Sequence, residues 1–250
     1  MKLNMFLFFA IAIFALSGCK NDKVEIPQTE MPDLQLTLQP VFGNSELQLD
    51  QSYVTNEGYK VQFTELKCFF SSFGNANKSL FQAALFNYRD SGKAFFNGFG
   101  NPDDFLSLTG ILGVDSFYNH DDPSAFPNDN PLNIMIANDM HWDWNPGYIF
   151  LKVEAKVDTL NDGIDNFNHF VIFHVGSDAI AQQLSFNNLV WQAKSANSYV
   201  LPFKVDMAKF LDNGTNALDL KTEFTSHNMS GQEAISLKVI EQFKKAISLY

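Results

Sequence analysis

From Tyr148 to Val157 the chain reads as a strand: Ile149, Leu151, Val153, Ala155 and Val157 are apolar on one parity, while Lys152, Glu154 and Lys156 are charged on the other. A period of two puts these sets on opposite faces of an extended chain, whereas a helix would spread each around its circumference. The segment is therefore a strand with one dry and one wet face, and a chain that uses it must build a sheet over a core. The pattern recurs. Leu34, Leu36 and Leu38 alternate with Gln35, Thr37 and Gln39. Val61 and Phe63 alternate, and then Leu66, Cys68 and Phe70 continue on the other parity. One extra residue near Glu65, a β-bulge, accounts for that change. Residues 167–175 (FNHFVIFHV) are apolar on both faces, which predicts a central strand. Further strands are expected over 188–194 and 199–205. Gly43-Asn44-Ser45 and Asn56-Glu57-Gly58 are turn sequences between strands.

Helical signals are few. Asn101-Pro102-Asp103-Asp104 reads as a helix start, with Phe105, Leu108 and Leu112 as its apolar face. Residues 119–133 form a long polar loop. At the C-terminus, Ser230 and Glu233 make a capping box, followed by an apolar stripe of Ile235, Val239, Ile240, Phe243 and Ile247. Lys244 and Lys245 lie where cations favour the helix dipole. The predicted fold is mainly β. It is a β-sandwich over residues 34–250, with this amphipathic helix packed on its surface and small peripheral helices. The 26 phenylalanines suit the space between two sheets.

The N-terminus reads as a leader. Lys2 precedes an apolar run, Met5 to Leu16, too short to span the ~30 Å hydrocarbon core of a bilayer. Leu16-Ser17-Gly18-Cys19 follows and resembles the bacterial lipobox. Residues 1–18 are thus expected to be a lipoprotein signal peptide. Cys19 would be the lipidated residue, and 19–33 a flexible tether with two prolines. Such a protein would be lipid-anchored in the cell envelope, on the periplasmic or surface face of an outer membrane. With Cys19 taken by lipid, Cys68 is unpaired, and within LKCFF it reads as a buried, inert thiol. The net charge of -11 argues against nucleic acid and anionic membrane surfaces as partners.

Catalytic signatures are absent. The chain has no GxSxG elbow, HExxH, P-loop or GxGxxG, and no CxxC or CxxCH. The expectation is a protein that is not an enzyme. Asp158 and Asp162 fit positions 1 and 5 of a calcium loop, but Leu160 stands at position 3, so a turn with solvated carboxylates is the better reading. Asp158-Thr159-Leu160 resembles a short bacterial O-glycan acceptor sequence. The densest segment is Met140-His141-Trp142-Asp143-Trp144-Asn145-Pro146-Gly147-Tyr148, which holds two of the three tryptophans. Imidazole and thioether are copper donors, and a tryptophan beside them can shelter Cu(I). The plainer alternative is a pair of tryptophans packed in the core with His141 beside them.

The segment MHWDWNPGYIFLKVEAK resembles the hallmark of the MbnP-like copper-binding protein family. Residues 34–73 resemble that family's opening hairpin through PVFG, a Tyr-x-x-Asn-x-Gly turn and a Phe-x-Ser stretch. Phe173-His174-Val175-Gly176-Ser177 is similar to its FHLGS stretch, and the C-terminal helix after His227 fits its close. The resemblance implies a periplasmic or surface β-sandwich that binds copper through histidines, for uptake or storage. It also implies a tryptophan oxidised to kynurenine by a dihaem peroxidase of the MauG type. Carried onto this chain, the metal ligands would be His141, His174 and His227, and the modified residue Trp142 or Trp144. The chain departs from the family pattern in three places. It lacks disulfide cysteines, has Trp144 two residues after Trp142 where a histidine can stand, and has Asp178-Ala179 after Ser177. His169 lies on the opposite strand face from His174 and is left out of the site. His120 belongs to the polar loop. A non-metal reading, a sandwich lipoprotein that binds a partner or a glycan, stands as the alternative.

Overall fold

In a computed structural model, residues 30–142, 147–160, 162–227 and 229–250 are described. The leader, Cys19, most of the tether and Trp144 lie outside the described residues. Met31–Tyr250 form one compact unit. The strands in chain order are β1 (Asp33–Phe42), β2 (Ser45–Glu46), β3 (Ser52–Val54), β4 (Lys60–Gly74), β5 (Ser79–Asn87), β6 (Ala94–Phe99) and β7 (Ser107–Leu112). They continue with β8 (Leu151–Asp158), β9 (His169–Val175), β10 (Gln182–Asn187), β11 (Gln192–Ser195), β12 (Ser198–Asp206), β13 (Thr225–Ser226) and β14 (Ile247–Leu249).

Two curled sheets face each other. The smaller has the order β11-β12-β1-β2, with β14 on β12 and β6 on β1. The larger runs β10-β7-β4-β8-β9-β13, with β3 and β5 also on β4. The β-sandwich expected from the alternation is the observed architecture. Leu34, Leu36 and Leu38 of β1 are buried, as are Val153, Ala155 and Val157 of β8. The register between β4 and β8 slips between Phe63 and Glu65, where the parity change placed a bulge. Val61 and Phe63 on one side of that slip, and Leu66, Cys68 and Phe70 on the other, therefore all reach the core. The Cys68 thiol is free and fully buried, and burial pushes its pKa well up.

Four local expectations are corrected. Pro102–Phe105 is a single 3-10 turn capped by Asn101, and Leu108 and Leu112 belong to β7. A spacing of four residues fits one helical turn and equally two strand periods, and the strand pairing of β7 with β4 and β10 decides it. β9 is not central. It pairs with β8 on one side and only the two-residue β13 on the other, and Phe170 is 60% exposed. Asn188 turns with φ 55°, so the strand expected from 188 starts at Gln192. The C-terminal helix, Glu233–Ala246, is not capped by Ser230. Its cap residue is Gln232, whose Oε1 accepts the backbone N–H groups of His227 (2.8 Å) and Met229 (3.3 Å). Glu233 reaches back to Gly231 N, 2.9 Å away.

That helix buries Val239, Ile240 and Phe243 as expected, and Ser236 and Gln242 with them, while Glu233, Ala234, Leu237 and Lys245 stay exposed, so it packs on the surface of the sandwich through one face. It ends at Ala246, and Ile247 begins β14. Replacing Gln232 by alanine is expected to lower stability by about 1 kcal/mol, because two backbone donors lose their acceptor. Ser230→Ala should change it by less than about 0.5 kcal/mol, the usual effect of an exposed site. Urea unfolding of the two variants checks the ranking, and the reverse order would refute this assignment of the cap.

Candidate functional site

The outer face of the larger sheet is where the site is built. β9 alternates Val171, Phe173 and Val175 inward with Phe170, Ile172 and His174 outward. His169 has the inward parity and lies against the Phe224 ring, 5.6 Å between centroids. β13 runs parallel to β9 with Ser226 opposite Phe173. The next residue, His227, therefore arrives beside His174, and the two imidazoles stack with centroids 5.0 Å apart and planes 23° apart.

Their environments differ. His174 places Nε2 2.8 Å from Glu154 Oε1 on the neighbouring strand. The His174 hydrogen bond, chiefly, holds the Glu154 carboxyl below its ordinary range, against its partial burial. His227 has its backbone N–H fixed by Gln232, but its Nε2 is buried and has no hydrogen-bond partner. Burial first, and then the charge of His174, push the His227 pKa down, with Glu154 pulling the other way. A lowered pKa keeps this ring neutral at neutral pH, the form in which an imidazole nitrogen can bind a metal.

A ladder of charges continues from Glu154. Lys152 Nζ lies 3.6 Å from Glu154 Oε1 and 2.5 Å from Asp139 Oδ2. Asp139 also takes Lys67 Nζ at 3.1 Å, and Lys67 reaches Glu65 at 3.0 Å. Lys67 and Lys152 are almost fully buried, so these are not loose surface pairs. Asp139 stands just before Met140-His141-Trp142, and the ladder pins the start of that segment to the sheet.

The segment itself is mostly a second layer over β4. Tyr148 is fully buried, meets Phe69 edge to face at 5.5 Å and donates its hydroxyl to Leu132 O at 2.5 Å. His141 forms a β-bridge with Tyr148 and packs its ring against it, 5.1 Å between centroids. Trp142 is 5% exposed and donates its backbone N–H to Gly147 O. Met140 is fully buried in the core. The two motif segments touch through main chain, since Phe150 N–H donates to Val175 O at 2.8 Å and Gly176 lies against Tyr148–Phe150.

Of the three histidines expected to share a site, His174 and His227 are brought together, while His141 rests on Tyr148. Among the described residues no three His, Cys, Asp or Glu side chains gather as a metal-binding group. His120 is half exposed and bonded to Asp178 at 2.9 Å. Thr159 is buried with its hydroxyl 3.3 Å from Asn168 Nδ2, so an O-glycan on Thr159 is incompatible with this fold. Asp158 is buried too, its carboxylate accepting Leu160 N and Asn166 N, so it is a structural turn residue rather than a solvated one.

Glu154, Lys152, Asp139 and Lys67 were not read as site residues from the sequence. The alternation of β8 did place Lys152 and Glu154 on the outer face. What it lacked was any signal that Asp139 would reach that face.

No curated protein matches the chain at a significant level. Among solved structures, MbnP from Methylosinus trichosporium is similar at a TM-score of 0.48 and 14% identity, covering 75% of this chain and 80% of that one. The model of the MbnP family matches residues 31–230. That span takes in every strand but β14, together with the paired histidines, and the chain therefore belongs to the MbnP family.

Proposed function

We propose that this chain is a non-catalytic copper-binding protein of the cell envelope, tethered by lipid on Cys19, with His174 and His227 at the heart of its site. The observation that carries the reading is the buried, unpartnered Nε2 of His227 beside a second imidazole. Buried polar atoms are nearly always satisfied, so an orphan here asks for an explanation. A neutral imidazole nitrogen is a good donor to copper, and two such nitrogens are within reach of a small rearrangement of the stacked rings. The residues thus fit the metal that the family resemblance implies. His141 and Trp142, on the segment pinned by Asp139, are the candidates for completing or sheltering the site. Trp142 and Trp144 are the candidates for oxidation by a dihaem peroxidase partner. Copper uptake or storage is the role such a protein would serve.

The test is copper content and affinity of the purified protein after loading and desalting. His174→Ala and His227→Ala are each expected to weaken copper binding by at least about tenfold, the scale of a lost metal ligand or its close support. A wild-type protein that retains no copper, or two variants that bind as the wild type does, would overturn the reading. The alternative of a glycan- or partner-binding module has one observation of its own. A groove on the smaller sheet is lined by Asp33, Gln35, Asn97, Lys194 and Phe99, and Phe99 is 70% exposed. That groove lies on the other sheet, so copper loading separates the two readings.

A further inference from the structure

We propose that Glu154 is the positioning residue of the copper site: it holds Nε2 of His174 and so presents Nδ1, not Nε2, to the metal. This rests on the copper reading above and goes beyond it by assigning the nitrogen and the residue that selects it. The geometry is direct. Glu154 Oε1 lies 2.8 Å from His174 Nε2, across neighbouring strands β8 and β9. An ionised carboxylate only accepts hydrogen bonds, so the proton between the two groups sits on Nε2. A neutral imidazole with its proton on Nε2 has its free lone pair on Nδ1.

Glu154 is itself well placed to fix the ring. It stands on a central strand, and Lys152 lies 3.6 Å from the same carboxylate oxygen. Lys152 is in turn held by Asp139. One carboxylate oxygen is therefore shared by the lysine and the histidine, which are register partners across β8 and β9, and the ring orientation is set by strand register rather than by a loop. A carboxylate on the far nitrogen also makes the metal-facing nitrogen a better donor, and loss of such a support typically lowers metal affinity about 10- to 100-fold. His227 differs, because its Nε2 is the atom left without a partner. The two rings would thus offer different nitrogens, Nδ1 from His174 and Nε2 from His227.

The experiment reads the tautomer and the affinity separately. Long-range proton–nitrogen NMR of the metal-free wild type should show His174 protonated on Nε2. Glu154→Ala should lose that preference and bind Cu(I) about 10- to 100-fold more weakly in competition with a chromophoric chelator. Glu154→Gln keeps an oxygen that can accept the Nε2 proton, so it should keep the tautomer and lose less affinity. That variant also stands in should Glu154→Ala fail to fold. A role in stability alone would shift unfolding while leaving tautomer and affinity untouched. Copper uptake by a wild type with His174 protonated on Nδ1 would overturn this inference alone. So would a folded Glu154→Ala, or in its stead Glu154→Gln with an altered tautomer, that binds as tightly as wild type. No copper uptake by the wild type would remove the copper reading and this inference with it.

Discussion

Replacing Gly176 by alanine is expected to lower the stability of the fold by about 3 kcal/mol, at the upper end of what overpacking costs. A Cβ at this position would lie 2.2 Å from Tyr148 O, 2.7 Å from Phe150 N and 3.0 Å from Ile149 Cα. All three are main-chain atoms, which cannot turn aside as the end of a side chain can. Nor can that stretch of main chain withdraw easily. Phe150 N–H donates to Val175 O, Tyr148 N–H to Asn119 Oδ1, and the Tyr148 hydroxyl to Leu132 O. Relief of the clash would therefore break a hydrogen bond or empty part of the layer over β4. Gly43 is the contrast. Nothing lies within 4 Å of its Cβ position and its φ is +61°, so Gly43→Ala meets only left-handed strain of about 1 kcal/mol. Urea unfolding of both variants, with an unchanged slope, measures the difference. Equal costs would show that close approach is not what the glycine at 176 is for.

That clash gives a physical meaning to residues that otherwise read as a motif. The glycine of Phe173-His174-Val175-Gly176-Ser177 and the Tyr148-Ile149-Phe150 stretch are two sides of one contact. The sequence shows each piece but not that they meet, because 26 residues of chain pass between Tyr148 and Val175 without a local signal linking them. What it does show well is anything with a period of two. β1 and β8 follow from alternation, and the bulge in β4 follows from the parity change at Glu65. It fails where one spacing serves two structures, as with Leu108 and Leu112. It also fails where a short polar side chain could cap or could simply face water, as at Ser230. His227 reads as a loop residue because β13 is two residues long, too short for any pattern. Only the parallel pairing with β9 brings it to His174.

Asp139 was invisible for a related reason, and its replacement is the second large effect expected. Lys67 and Lys152 point outward from β4 and β8 by parity, which predicts solvated ammonium groups. Instead the segment over the sheet covers them, and both are less than a tenth exposed. Among the described residues Asp139 is the one carboxylate that reaches both, at 3.1 Å and 2.5 Å. Removing one member of a fully buried charge group costs about 3 to 5 kcal/mol, because the charges left behind lose their partner. Asp139 is 38% exposed on its side chain, and Glu65 and Glu154 remain near the two lysines. Solvent screening therefore reduces the expected cost of Asp139→Ala to about 2 kcal/mol. The effect should depend on pH in a definite direction. Burial alone would raise the Asp139 carboxyl, but the Lys152 and Lys67 ammonium groups outweigh it and hold it below its ordinary range. A carboxyl whose pKa is lower folded than unfolded adds stability above its unfolded value, near pH 4, and loses it as pH falls through the folded value. Wild-type stability should therefore fall below about pH 4, where the carboxyl of the unfolded chain takes up its proton before the folded one does, and the gap to Asp139→Ala should shrink there. Asp139→Asn keeps an acceptor without the charge and should fall between the two. Stability curves for the three proteins from pH 7 down to pH 3 are the measurement. An alanine variant within about 0.5 kcal/mol of wild type at pH 7 would mean that the two lysines need no partner at 139, since such a change is what an uninvolved surface site gives.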